Sequence, residues 1–163
     1  AQSPSDGYTV LFTLSSHTIN PSFYPRLPFD TERDFSPVVT IASLPQILVA
    51  NPNFPAKNVK EVIEMAKAKP GSISYASVGN GSPGHLAGAM MATDAGVDMV
   101  HIPYRGGGPA ITDVIAGQVP LLWVSIPAAA QFVKSGKVKA LAVSTVKRSA
   151  VFPDVPTMAE SGF

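Results

Sequence analysis

At 163 residues, 45% of them hydrophobic, the chain has the length of one domain, or of one domain and part of another, and can bury one sizeable core. A formal net charge of +1, 14% charged residues and no run of Lys or Arg leave no electrostatic footprint for nucleic acid or an anionic membrane surface. With no cysteine, disulfides, thiolate metal sites and cysteine nucleophiles are excluded, while the redox compartment stays open.

The first residues, 1–6, are polar, and the chain opens with neither Met nor a basic-then-apolar signal sequence, so its start reads as processed or trimmed. Residues 8–14 (Tyr-Thr-Val-Leu-Phe-Thr-Leu) are β-branched, apolar and uncharged, which predicts a strand covered on both faces. A polar turn at 15–20 follows. Residues 35–51 are nearly uncharged, and Pro37 and Pro45 are expected to break them into two strands or to mark a passage between layers or lobes.

From Asn58 the pattern becomes regular. Asn58 and Glu61 have capping-box spacing, Val59, Val62, Ile63 and Ala66 share a helical face, and Lys67 to Gly71 supply the stop. A strand at 73–77 leads through a glycine-rich turn, 78–84, to a helix whose predicted apolar face carries Leu86, Ala87, Met90 and Met91. A strand at 99–103 and the turn Tyr-Arg-Gly-Gly-Gly-Pro at 104–109 open a helix with Ile111, Val114 and Ile115. Strand 118–125, helix 127–135 and strand 138–145 complete an alternation that implies βαβ units and a mainly parallel sheet. Residues 154–163 end in a Pro-led helical turn rather than at a capped terminus. Trp123 and the pair Met90 and Met91 are expected in the core.

Three strand-to-helix turns share one design, in which small or polar residues precede a Pro at a first helical position: Ser77 to Pro83, Tyr104 to Pro109, and Ser125 to Pro127. In a parallel sheet such turns lie at one edge, where free amides and helix dipoles suit an anion. Gly79, Gly81, Gly106, Gly107 and Gly108 would let backbone approach a ligand, and Ser77, Asn80 and Ser82 would add donors. Tyr104 is placed to wall the crevice and donate its hydroxyl. His85, at a helix start, is placed either to touch a bound anion or to bond nearby backbone. Gly79-Asn-Gly81 lacks the third glycine and the downstream acid of a dinucleotide fingerprint, and no P-loop occurs, so a small carboxylate fits better than a nucleotide.

Evidence for catalysis is thin. His17, His85 and His101 have no metal-ligand spacing, and His101 reads as a satisfied histidine within a strand. Of the acids, Asp94 and Asp98 border a turn and Asp113 is expected in a first helical turn, where it complements the dipole. No cofactor is expected.

Six ordered blocks carry a family likeness: Asp6-Gly-Tyr-Thr; Ile19-Asn-Pro-Ser-Phe-Tyr; Asp34-Phe-Ser-Pro-Val; Tyr75-Ala-Ser-Val-Gly-Asn-Gly-Ser with His85-Leu-Ala-Gly; Val100-His-Ile-Pro-Tyr-Arg-Gly-Gly-Gly-Pro-Ala; and Lys147-Arg-Ser with Pro153-Asp-Val-Pro-Thr. In these the chain resembles the extracytoplasmic solute-binding receptors of tripartite tricarboxylate transporters, the TctC or Bug proteins. The resemblance implies an α/β fold of the type II periplasmic-binding class, with one complete lobe at 45–143 and fragments of the other at 1–44 and 144–163. It also implies a periplasmic receptor that is not an enzyme, holds a carboxylate between lobes and delivers it to a membrane permease. Carried over, Ser15 and Ser16 belong to the first lobe's side of the cleft, and Ser77 to Ser82, Tyr104, Arg105, Gly106 and Gly107 to the second lobe's side, with Ser125 near them. Where the family commonly has Phe-Asp-Asn at a second-lobe strand end, this chain has Trp123-Val-Ser125, which removes an acid and points to a less polar ligand. The family's first strand and its Pro-Gly-Gly turn would precede Ala1. An α/β enzyme acting on an anionic metabolite is the alternative reading, and a fragment that self-associates through exposed core is a third.

Overall fold

The computed structural model describes residues 1–163. Its sheet is built from β1 (Gln46–Ala50), β2 (Ser74–Ser77), β3 (Val100–Pro103), β4 (Leu121–Ser125) and β5 (Lys139–Val143), in the order β3-β2-β4-β1-β5. The helices are α1 (Ser16–Phe23), α2 (Val59–Ala68), α3 (Pro83–Ala95), α4 (Gly107–Ile115) and α5 (Ile126–Lys134). A short 3-10 turn, Ala159–Ser161, closes the chain. The alternation read from the sequence is therefore present from β1 onward, with strand ends trimmed by one to three residues.

β2 pairs parallel with β3 and β4, whereas β1 pairs antiparallel with β4 and with β5. The sheet is mainly parallel in direction, with β1 alone reversed. The chain enters β1 from Pro45, whose carbonyl accepts the Ile126 N–H at the finish of β4, so β1 has to run away from the edge where its neighbours end.

Both faces of the sheet are covered, which is why its strands carry so little charge. Ile47, Val49, Leu122 and Val124 point to the face closed by α4 and α5, where Ala110, Ile111, Val114 and Ala129 meet them. Leu48, Ala50, Leu121 and Trp123 point the other way, against Val59 and Val62 of α2 and Met91 of α3. The predicted α2 cap forms: Asn58 Oδ1 accepts the Glu61 N–H at 2.9 Å, and the Glu61 carboxylate reaches back to the Lys57 N–H at 2.7 Å.

Helix α3 corrects the expectation for its apolar face. Its buried residues are Gly84, Gly88 and Met91, while Met90 is 63% exposed. The two glycines let the helix lie directly on the sheet: a Cβ at position 84 would stand 2.6 Å from the Trp123 carbonyl oxygen, and one at 88 would stand 2.1 Å from the Tyr75 ring. Helix α4 begins at Gly107, which moves Asp113 from the expected first turn into the second.

The expected strand at 8–14 does not form, and neither does one between Phe35 and Pro45. Tyr8, Phe12, Val38 and Val39 are all at least 74% exposed. Both segments have strand composition, but no neighbouring strand offers them a ladder, and an unpaired strand is not stable by itself. Within 1–44 the one regular element is α1, where His17 packs beside Phe29 and Phe35. No helix is long and apolar enough to cross a membrane.

Candidate ligand-binding site

Strands β2, β3 and β4 end at one edge of the sheet, and pairing sets Ser77 opposite Pro103 and Gln46 opposite Ser125. Three helix starts follow at once. They converge: a Cβ on Gly107 at the start of α4 would meet Val124 of β4 at 3.5 Å, Val78 after β2 at 3.9 Å and Ala128 of α5 at 4.0 Å. Gly79 packs toward the Tyr104 carbonyl. Gly79, Gly81 and Gly106 have φ of 131°, 70° and 127°, values that L side chains rarely adopt, so glycine is required at these three bends.

The β2–α3 turn is knitted by its own side chains. Ser82 caps α3 by accepting the His85 N–H, and its hydroxyl donates toward Ser77 Oγ at 3.3 Å. Ser77, fully buried, also bonds both the carbonyl and the N–H of Gly79 and lies 2.7 Å from His101 Nε2. His85 Nδ1 accepts the Gly81 N–H at 3.2 Å, and its ring stacks on His101 with centroids 3.9 Å apart. His85 thus bonds nearby backbone, the second of the two placements open in the sequence. Burial, and after it the neighbouring His85, push His101 from 6.5 down to about 4, and burial lowers His85 as well. The amides of Asn80 and Gly84 are used by no protein acceptor.

Tyr104 presents its ring and not a free hydroxyl, because its O–H donates to Asp113 Oδ2 at 2.7 Å. Burial and then Asp113 push the Tyr104 hydroxyl up to about 12, so it stays protonated. Arg105 is exposed, and the Ser125 side chain makes no cap bond to α5. Ser15 is the residue before α1, its carbonyl bonded by the Thr18 hydroxyl, and Ser16 is the first residue of α1. The part of α1 that meets the turns is its other end: Phe23 and Asn20 lie 3.7 and 3.8 Å from the Cβ position of Gly81, and Phe23 meets the His85 ring edge-on. Those two residues stood in the Ile19-Asn-Pro-Ser-Phe-Tyr block but were not named as site residues, nor were Gln46 and Ser144, whose hydroxyl accepts the Gln46 N–H beside this edge. The signal for Phe23 was a large aromatic two helical turns beyond the Ser-Ser pair.

Chemically the edge offers amides, hydroxyls and helix dipoles, and none of α3, α4 or α5 has an acid in its first turn. No cluster of three or more His, Asp or Glu that could hold a metal ion occurs. Ser77 and His101 have the spacing of a nucleophile and its base. They are not arranged as one, since Ser77 has no exposed surface and an imidazole at about 4 is a poor base near neutrality. An open hollow among Leu27, Phe29, Asp30 and Arg33 lies on the loop after α1 and shares no residue with this edge.

All 163 residues match the family described as the tripartite tricarboxylate transporter family receptor, TctC. The chain belongs to this family. Among solved structures it superposes on a periplasmic transporter, with TM-score 0.84 and 38% identity over 91% of this chain and 50% of that one. It is similar to Rpa4515 of R. palustris, solved with adipate, at TM-score 0.86 and 32% identity over 91% of this chain and 50% of the other. MatC of Rhodopseudomonas palustris, solved with malate, aligns at TM-score 0.80 and 29% identity, over 91% and 49%. These neighbours are solute-binding proteins, and the TctC chain here has the architecture of one lobe of that fold. It spans about half the length of the curated relatives it matches.

Proposed function

We propose that the full-length protein is a periplasmic receptor that captures a small dicarboxylate or related acid in a cleft between two lobes and hands it unchanged to a membrane permease. On this reading 45–143 is the second lobe, and 1–44 with 144–163 belong to the first. The observation that carries it is the convergence of three helix starts, rich in amides and free of first-turn acids, at one sheet edge. Support comes from the adipate and malate in the two R. palustris structures. The ligand's carboxylate would lie on the Asn80 and Gly84 amides and the Gly106–Gly107 start of α4, with Ser125 and the Tyr104 ring beside it. Ser15 and Ser16 would face it from the first lobe.

Calorimetry on the full-length protein with adipate, malate and a neutral amino acid tests this. The expected result is saturable binding of one of the two acids without product. Conversion of a bound acid would overturn the receptor reading in favour of an α/β enzyme. Binding of the amino acid alone would overturn the assigned ligand class.

A further inference from the structure

The chain closes the start of a helix or turn with a reciprocal pair of bonds in three places, the return bond going to the residue before the cap at α2 and α3 and to the cap residue itself at the 3-10 turn. At α2, Asn58 accepts the Glu61 N–H and Glu61 returns to the Lys57 N–H. At the 3-10 turn, Thr157 Oγ1 accepts the Glu160 N–H at 3.0 Å and Glu160 returns to the Thr157 N–H at 2.8 Å. At α3, Ser82 accepts the His85 N–H at 3.2 Å and His85 Nδ1 returns to the Gly81 N–H. A carboxylate at this third position is the usual partner, and it also complements the helix dipole. Only the closure at the crevice edge uses an imidazole.

Charge distinguishes the three. Glu160 is paired with Arg148 at 2.9 Å, and Glu61 acts on Lys139, the first residue of β5. Glu160 thus has an ion-pair partner, and Glu61 has a basic group within electrostatic reach without an ion pair. His85 has none: the groups packed against it are His101 of β3, Tyr75 of β2, whose hydroxyl donates to the His85 carbonyl, and Phe23 and Asn20 of α1 near the adjoining Gly81. Because the Gly81 amide can only donate, Nδ1 must carry no proton, and the ring is the neutral Nε2–H tautomer. The stack on His101 and the edge contact with Phe23 hold it in that orientation.

Resting on the carboxylate-receptor reading, we propose that His85 is a positioning residue that closes the α3 start without negative charge, so that the Asn80 and Gly84 amides beside it stay attractive to an anion. A glutamate here would serve the helix equally and repel the ligand.

The test uses the full-length protein with adipate as probe, or malate if adipate is not bound, at pH 7 and low salt, in wild type and in His85→Gln, His85→Glu and His85→Ala. Gln can form the same bonds without charge. The expected affinities are within threefold of wild type for His85→Gln and at least tenfold weaker for His85→Glu, with the Glu loss shrinking as salt is raised. Hydrogen exchange of the Gly81 amide reads the closure independently of ligand: it is expected slow in wild type, Gln and Glu proteins and fast in His85→Ala. Equal affinity of the Glu and Gln variants would overturn this proposal and leave the receptor reading standing. Fast exchange of Gly81 in the wild type would overturn it too. Failure of the wild type to bind any acid would overturn both.

Discussion

Residues 46–50 and residues 38–44 are alike in composition, uncharged and rich in Val, Ile, Leu and Ala, yet the first is the buried strand β1 and the second is exposed and unpaired. Ile47, Leu48 and Val49 have no exposed surface, while Val38 and Val39 are 83% and 74% exposed. The difference lies in the neighbours. β1 has β4 on one side and β5 on the other, with helices over both faces, and 38–44 has neither. Composition nominates a strand, and a ladder makes it.

That contrast is broken hardest by truncating side chains on either side of it. Leu122→Ala, in β4 beside β1, is expected to cost about 2–5 kcal/mol in denaturant unfolding, and Val39→Ala in this chain less than about 0.5 kcal/mol. On the two-lobe reading the same Val39 change in the full-length protein costs at least about 1 kcal/mol, because the segment is then covered. Equal, small effects in both contexts would count against that assignment. Gly84→Ala comes next, at about 1–3 kcal/mol, because the added Cβ meets the Trp123 carbonyl at 2.6 Å and a backbone atom cannot swing aside. A thermal melt unchanged by this substitution would contradict the close seating of α3.

Acid sharpens the comparison more gently. His101 titrates at about 4 in the folded lobe against 6.5 when unfolded, and His85 is lowered in the same direction. Between those values the unfolded chain binds more protons, so stability rises with pH: it is complete above about 6.5 and lost as pH falls toward 4. Denaturant midpoints from pH 7 to 4 should therefore fall, and His101→Gln should flatten the fall. Glu160, lowered from 4.5 chiefly by its bond to Arg148, loses its contribution as pH falls below that value, so the fall between 6.5 and about 5 is the part that reads the histidines.

The alternation of β1 to β5 with α2 to α5 was legible because a sheet covered on both faces needs uncharged strands, and helix-start signals such as the Asn58 cap and Pro83 at a first helical position announce themselves locally. The reversed direction of β1 was not, since periodicity carries no information about strand direction. Met90 was misplaced because a helix that seats on glycines hides its contact face from a hydrophobic pattern. The three turns of the candidate site were visible in their glycines and prolines. The role of Tyr104 was not, and that of His85 only as one of two placements, because the bonds that define them, to Asp113 and Gly81, depend on where each turn bends.

The central claim is that a carboxylate sits on these converging helix starts. A titration of isotopically labelled full-length protein with adipate, or with malate if adipate is not bound, read at the backbone amides, tests it most directly. The account predicts saturable shifts at Asn80, Gly84, Gly107 and Ala128, with none at Gly71 or Gly117 beyond the opposite ends of the strands. Saturable binding that leaves those four amides unmoved would contradict it.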